Sequence, residues 1–147
     1  MPKIWEPGRE EELLQRMEGL RPDTPAQWGG FTPSKMLWHC AHGMDAGLGL
    51  YPLKPKAGPF RLWPLNKFII HIAPWPKGAP TAPELIPGSE PDFEKAKADF
   101  RASMRRFIEA GPNGKFAPHA AFGDLTPGDW GALTYRHIDH HFRQFGL

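Results

Sequence analysis

Four stretches of the chain repeat their apolar residues at helical spacing, and no stretch alternates apolar with polar residues convincingly as a strand does. The first runs from Arg9 to Leu20, where Leu13, Leu14, Met17 and Leu20 share one side. Its acidic opening suits the positive end of a helix, and Gly19 with Pro22 supplies a stop. The second opens at T-P-S-K, with Thr32 as cap and Pro33 in the first helical position, and runs to about Gly49. The third extends from about Asp92 to Ala110 on Phe93, Ala96, Phe100, Met104 and Phe107, and ends at Gly111 and Pro112. The fourth opens at T-P-G-D-W, where Thr126 caps and Asp129 stands in the capping-box position, and continues nearly to Leu147. Four amphipathic helices predict an all-α fold, a four-helix bundle whose sites are built from facing helices, with residues 1–147 as one domain.

The pattern breaks between Tyr51 and Pro91. The chain has 18 prolines, crowded between residues 52 and 91, and proline's fixed φ and missing N–H keep this stretch from being mostly helix or central strand. Loops beyond about 12–15 residues are usually functional or disordered. The run R-L-W-P-L-N-K-F-I-I-H-I-A-P-W-P-K-G is too apolar for a disordered linker, so we expect an ordered cover with a short helix from about Leu65 to Ile72. The connection from Gly111 to Leu125 is also irregular.

Charge narrows the partners. Lys plus Arg total 18 against 16 Asp plus Glu, a net charge of +2, so no strong overall field recruits nucleic acid or an anionic membrane. No segment reaches the roughly 18 apolar residues of a membrane span. The single cysteine, Cys40, excludes an intramolecular disulfide and predicts a cytoplasmic protein; on its helix it reads as a small buried apolar residue.

The chemistry concentrates in histidine. Three of the seven histidines, His137, His140 and His141, fall in H-I-D-H-H near the end. At about 100° per residue, His137, His141 and Gln144 form one line beside the core-facing Ile138, Phe142 and Phe145, while Arg136, Asp139 and Arg143 point the other way. Histidines at i and i+4 project two imidazoles toward one point, a recurrent spacing at transition-metal sites. A third ligand must come from another helix, and the second offers His39 and His42. His39 shares a face with Met36, Gly43, Ala46 and Leu50, so spacing favours it over His42. His140, Gln144 and His42 are candidates to orient ligands or bound water. His71 and His119 carry no pattern of their own; His119 and Phe122 could either approach the same end of the bundle as the cover or shape the turn before the last helix.

With W-G-G-F-T-P-S-K-M-L-W-H, P-H-A-A-F-G-D-L-T-P-G-D-W and H-I-D-H-H-F-R-Q-F-G in place, the chain resembles the DinB-like superfamily of metal-binding four-helix bundles, and within it a branch known only as a domain of unknown function. The resemblance spans most of the chain. It implies a divalent metal, commonly nickel or zinc, held by His39, His137 and His141. It also implies a small-molecule substrate, in some relatives a low-molecular-weight thiol transferred onto an electrophile and in others a substrate of hydrolysis or isomerisation, and it suggests a homodimer. The proline-rich insertion departs from the plain superfamily pattern. Its Lys54, Lys56, Arg61, Lys67 and Lys77, against Glu84 and Glu90, either simply keep an apolar loop in solution, the more ordinary use of exposed lysine, or form a basic, aromatic cover suited to a carboxylate-bearing substrate. The rival reading is a non-enzymatic bundle that binds a metal or a small ligand.

Overall fold

The computed structural model describes residues 1–147 and is all-helical, with five α-helices and no strands. They are α1 (Arg9–Glu18), α2 (Pro33–Gly47), α3 (Leu65–His71), α4 (Phe93–Ala110) and α5 (Pro127–Gln144), with short 3-10 turns at Pro59–Arg61, Pro83–Leu85 and Gly111–Asn113. The expected starts hold to within a residue, and in α2, α4 and α5 a side chain fixes them. Thr32 Oγ1 accepts from the Lys35 amide at 3.2 Å, Asp92 accepts from the Lys95 amide at 2.9 Å, and Thr126 with Asp129 completes a capping box. The ends fall two to three residues earlier than expected in α1, α2 and α5, since the apolar periodicity runs on into the turns that follow. Leu50, expected on the interior face of α2, lies beyond its end and is exposed.

One cluster of buried apolar residues joins all five helices, with Leu13 and Met17 from α1, Leu37 and Cys40 from α2, Ile70 from α3, Phe100 and Phe107 from α4, and Ile138 and Phe142 from α5. Each fully buried large side chain contributes about 1.5–3 kcal/mol. Phe100 stacks at a tilt on Phe142 with ring centroids 5.7 Å apart. Gly47 lets α2 approach closely, because a Cβ there would meet the Trp130 ring at 2.9 Å and Phe107 at 3.1 Å. Cys40 is fully buried, as expected, and burial pushes its thiol well above the ordinary range.

The stretch from Tyr51 to Pro91 is an ordered cover, and its helix spans Leu65–His71. Arg136 of α5 holds that helix by its C-terminal end. Its guanidinium donates to the carbonyls of Ile69 at 2.9 Å, Ile70 at 3.0 Å and Ala73, and sits over the Trp75 ring at 4.9 Å. These carbonyls carry the negative end of the helix dipole. The same helix is fixed from its side by Asp129, which bonds Lys67 and, at 2.9 Å, His71.

Two expectations about α5 are corrected here. Arg136 does not face solvent with Arg143, because unpaired carbonyls at the end of α3 need a donor. Asp139 does turn away from the histidines, but it pairs with Arg16 of α1 at 2.8 Å and with Arg143 at 3.0 Å. The basic cover also dissolves in part. Lys67 is spent on Asp129, and Arg61 donates to the carbonyls of Lys56 at 3.2 Å and Ala120 at 2.9 Å, which docks the cover on the turn before α5.

Candidate metal centre

α2 and α5 face each other along a seam, and His39 from one meets His137 and His141 from the other. One ring nitrogen of each can be chosen so that all three lie within 4.8 Å of one another. His39 Nε2 and His137 Nε2 are 2.9 Å apart across 98 residues of sequence. Ligand bonds of about 2.0–2.1 Å place neighbouring nitrogens roughly 3 Å apart around a metal. The closest pair therefore already stands at ligand spacing, with a nitrogen of His141 within 4.8 Å of both.

The tautomers are determined by what lies behind the rings. His39 Nδ1 is 3.0 Å from the carbonyl oxygen of Leu85, which can only accept, so Nδ1 carries the proton and Nε2 presents a lone pair. His141 Nδ1 is 2.8 Å from Gln144 Oε1. The Gln144 amide is itself oriented, since its Nε2 donates to the Trp28 carbonyl at 2.8 Å. His141 therefore also protonates at Nδ1 and turns its free Nε2 toward the seam. This is the usual support of a metal-bound imidazole, whose second nitrogen donates to a carbonyl or amide oxygen.

Burial does the rest. His39 and His141 are 4% and 9% exposed. Burial pushes His39 down to about 4, against the opposing bond to Leu85, and His141 down to about 3, with His39 and His140 adding to the effect. Burial and the neighbouring histidines likewise hold His137 well below the ordinary imidazole range. All three are neutral at pH 7, the form a metal requires. The donor set is thus three neutral imidazole nitrogens from two rigid helices, a set that could hold a divalent transition-metal ion.

Aromatic side chains wall the site. Phe31 lies against His39 and His141 with centroids at 5.2 and 5.9 Å, and Trp75 lies 6.3 Å from His137. W-G-G-F therefore has a physical role. The Trp28 carbonyl anchors Gln144, Phe31 packs on His39 and His141, and Gly29, at φ +75°, leaves the room that a Cβ 2.7 Å from Gln144 Nε2 would take.

The other histidines separate from this set. His42 stacks on Trp38 at 3.7 Å, donates from Nδ1 to the carbonyl of Trp38 at 2.9 Å, and edges onto Tyr51, so it does not orient a ligand as expected. Its 60° offset around α2 turns it toward the cover. His140 makes no hydrogen bond to a ligand; it stands half-buried between Trp28 at 5.6 Å and Trp75 at 5.9 Å, at the rim. His71 is engaged with Asp129. His119 Nδ1 accepts from the amides of Ala121 and Phe122, both at 3.1 Å, so of its two open roles it takes that of shaping the turn. Among the insertion's lysines only Lys77 approaches the rim, 4.7 Å over the Trp28 ring.

The Leu85 carbonyl has no counterpart in the sequence reading. Tyr51 Oη donates to the neighbouring Glu84 carbonyl at 2.7 Å and holds that 3-10 turn in place. A backbone acceptor has no residue signature, so only the crowding of prolines around it hinted at a fixed turn.

A family model described as a protein of unknown function, DUF1569, matches residues 11–146. The chain belongs to the DUF1569 family. The match covers the seam, the cover and all seven histidines of this DUF1569 chain. No curated protein and no solved structure gives a significant match.

Proposed function

We propose that this DUF1569 protein is a metal-dependent enzyme built as a DinB-like four-helix bundle, in which His39, His137 and His141 hold one divalent ion, zinc or nickel. The substrate is a small molecule, and the reaction is transfer of a low-molecular-weight thiol or hydrolysis. One observation carries this reading: two of the three converging imidazoles are locked by carbonyl acceptors into the tautomer that aims Nε2 at the shared point. A divalent ion bound by three neutral imidazoles keeps its full charge and open positions, and supplies Lewis acidity toward a water or thiol.

The chain's own residues do the remaining work. Gln144 and the Leu85 carbonyl orient the ligands. Phe31, Trp28 and Trp75 exclude bulk water from the seam and leave a narrow rim. His140, neutral at pH 7 because burial lowers it, is the base closest to that rim and takes the proton from an incoming thiol or water. We read the protein as cytoplasmic and, by the family resemblance, as a homodimer.

The deep burial of His39 and His141 favours a second reading, a metal or ligand held without catalysis. Metal-loaded protein assayed with bacillithiol, mycothiol or glutathione and monochlorobimane, beside a panel of esters and amides, separates the readings. Turnover that requires both metal and thiol and is lost in His141→Ala supports the transferase. Ester or amide cleavage without thiol, again lost in His141→Ala, overturns the transferase in favour of the hydrolase. A metal-loaded protein inert in every assay leaves the binding reading.

A further inference from the structure

The net charge of +2 hides a strong segregation. From Ala46 to Pro83 the chain carries five of its 18 lysines and arginines and none of its 16 acidic residues. The same stretch holds most of the large apolar side chains left in solvent. Phe60 is 51% exposed, Leu62 63%, Trp63 77%, Phe68 49% and Ile72 70%. These residues lie on the 3-10 turn at Pro59–Arg61, the two residues after it, α3, which packs beside that turn, and Ile72 at the end of α3.

α3 is two-sided. Asn66 and Ile70 are buried toward α5, while Leu65, Phe68 and Ile72, three and four residues apart, line an open apolar groove with Pro64 and Lys67. Nothing in the fold requires Trp63 or Ile72 to be apolar, since neither is among the buried residues or those packed against them. Exposed apolar patches of this kind mark interaction surfaces.

The flanking charge selects the partner. Lys54 and Lys56 precede the patch and are exposed, and neither forms an ion pair within the chain; Arg61 and Lys67 are bound to groups beneath it. A second copy docking patch to patch would bring like charges together with no carboxylate between them. A tryptophan, two phenylalanines and branched aliphatics flanked by two free lysines instead match a bilayer interface with anionic headgroups. No helix of the chain is long and apolar enough to cross a membrane, so contact is peripheral. We propose that the face formed by Phe60, Leu62, Trp63, Phe68 and Ile72, with Lys54 and Lys56 beside it, docks this protein reversibly on anionic phospholipid bilayers. This revises the expectation drawn from net charge, and it does not depend on the metal centre.

Co-sedimentation with vesicles tests it, using phosphatidylcholine alone and phosphatidylcholine with 30% phosphatidylglycerol at low and at 0.5 M salt. The full chain is expected to pellet with the anionic vesicles, to stay in solution with the neutral ones, and to release in high salt. Each cation that reaches the surface strengthens partitioning about fivefold, so Lys54→Glu/Lys56→Glu is expected to weaken it at least 25-fold. Trp63→Ser/Ile72→Ser is expected to abolish binding with the thermal midpoint unchanged, because both side chains are already exposed. Failure to bind anionic vesicles at low salt overturns the proposal. So does equal binding by both double variants, or a concentration-dependent dimer in light scattering that Trp63→Ser/Ile72→Ser dissociates.

Discussion

Two histidine-rich regions meet α5, and they differ in what the second ring nitrogen does. At the α2–α5 seam, His39 and His141 each give Nδ1–H to an acceptor behind the ring and turn the free nitrogen inward, where His39 Nε2 accepts from His137 Nε2 at 2.9 Å. At the other end of α5, His71 spends Nε2 on Asp129, and His119 uses Nδ1 to gather two backbone amides. Both regions are partly buried and both contain histidine near carbonyls. Only the first leaves nitrogens free in one place. A histidine's fitness as a ligand is decided by its outer partner as much as by its position.

Removing a histidine from each region should give opposite results. His137→Ala is expected to weaken binding of zinc or nickel by more than about 100-fold, since losing a ligand costs more than losing an outer partner, while His71→Ala leaves the affinity unchanged. Calorimetric titration of the metal-free proteins checks both. Equal affinities would erase the distinction.

Acid should expose the second region next. Burial, with Arg61 adding to it, pushes His119 down to about 4, whereas in the unfolded chain it titrates near the ordinary value of about 6.5. Between these pH values the unfolded state binds the extra proton, so stability falls as pH falls through the window, by up to about 3 kcal/mol from this group. Urea denaturation of metal-free protein at pH 7 and pH 4.5 should show a shallower loss in His119→Asn than in the parent. Parallel losses would mean that His119 is not held neutral.

The outer partners supply the smaller effects. Gln144→Leu removes the acceptor behind His141 and is expected to weaken metal binding about 10–100-fold, measured by competition with a chromophoric chelator; full retention would mean that the His141 tautomer is not set by Gln144. Asp129 accepts from His71, Lys67 and Thr126, and these bonds outweigh burial and hold its carboxyl below the usual range. Asp129→Ala should cost about 1–2 kcal/mol through loss of the cap and of the contacts to the cover, read as a lower thermal midpoint with metal affinity preserved. A loss of metal from that variant would show that the two regions are not separable.

Legibility in the sequence follows the same physics. The starts of α2, α4 and α5 were readable because Thr32, Asp92 and Thr126 cap by side chain, and the His137–His141 pair was readable because helical spacing alone aligns it. His39 could be preferred because Met36 and Gly43 mark its face as interior. Asp139 was readable as turned from the site but not as the partner of Arg16, which is 123 residues away. The carbonyls of Leu85 and Trp28 were beyond reach, because every residue has one and only the path of the chain selects which is used. The role of Arg136 was hidden for the same reason.

Whether His39, His137 and His141 surround one ion is decided by X-ray absorption at the metal edge of the zinc- or nickel-loaded protein. One ion per chain is expected, with three imidazole nitrogens at about 2.0–2.1 Å and oxygen donors in any remaining position. A chain that takes up no ion, or a spectrum with sulfur or fewer than three imidazoles around the metal, would contradict it.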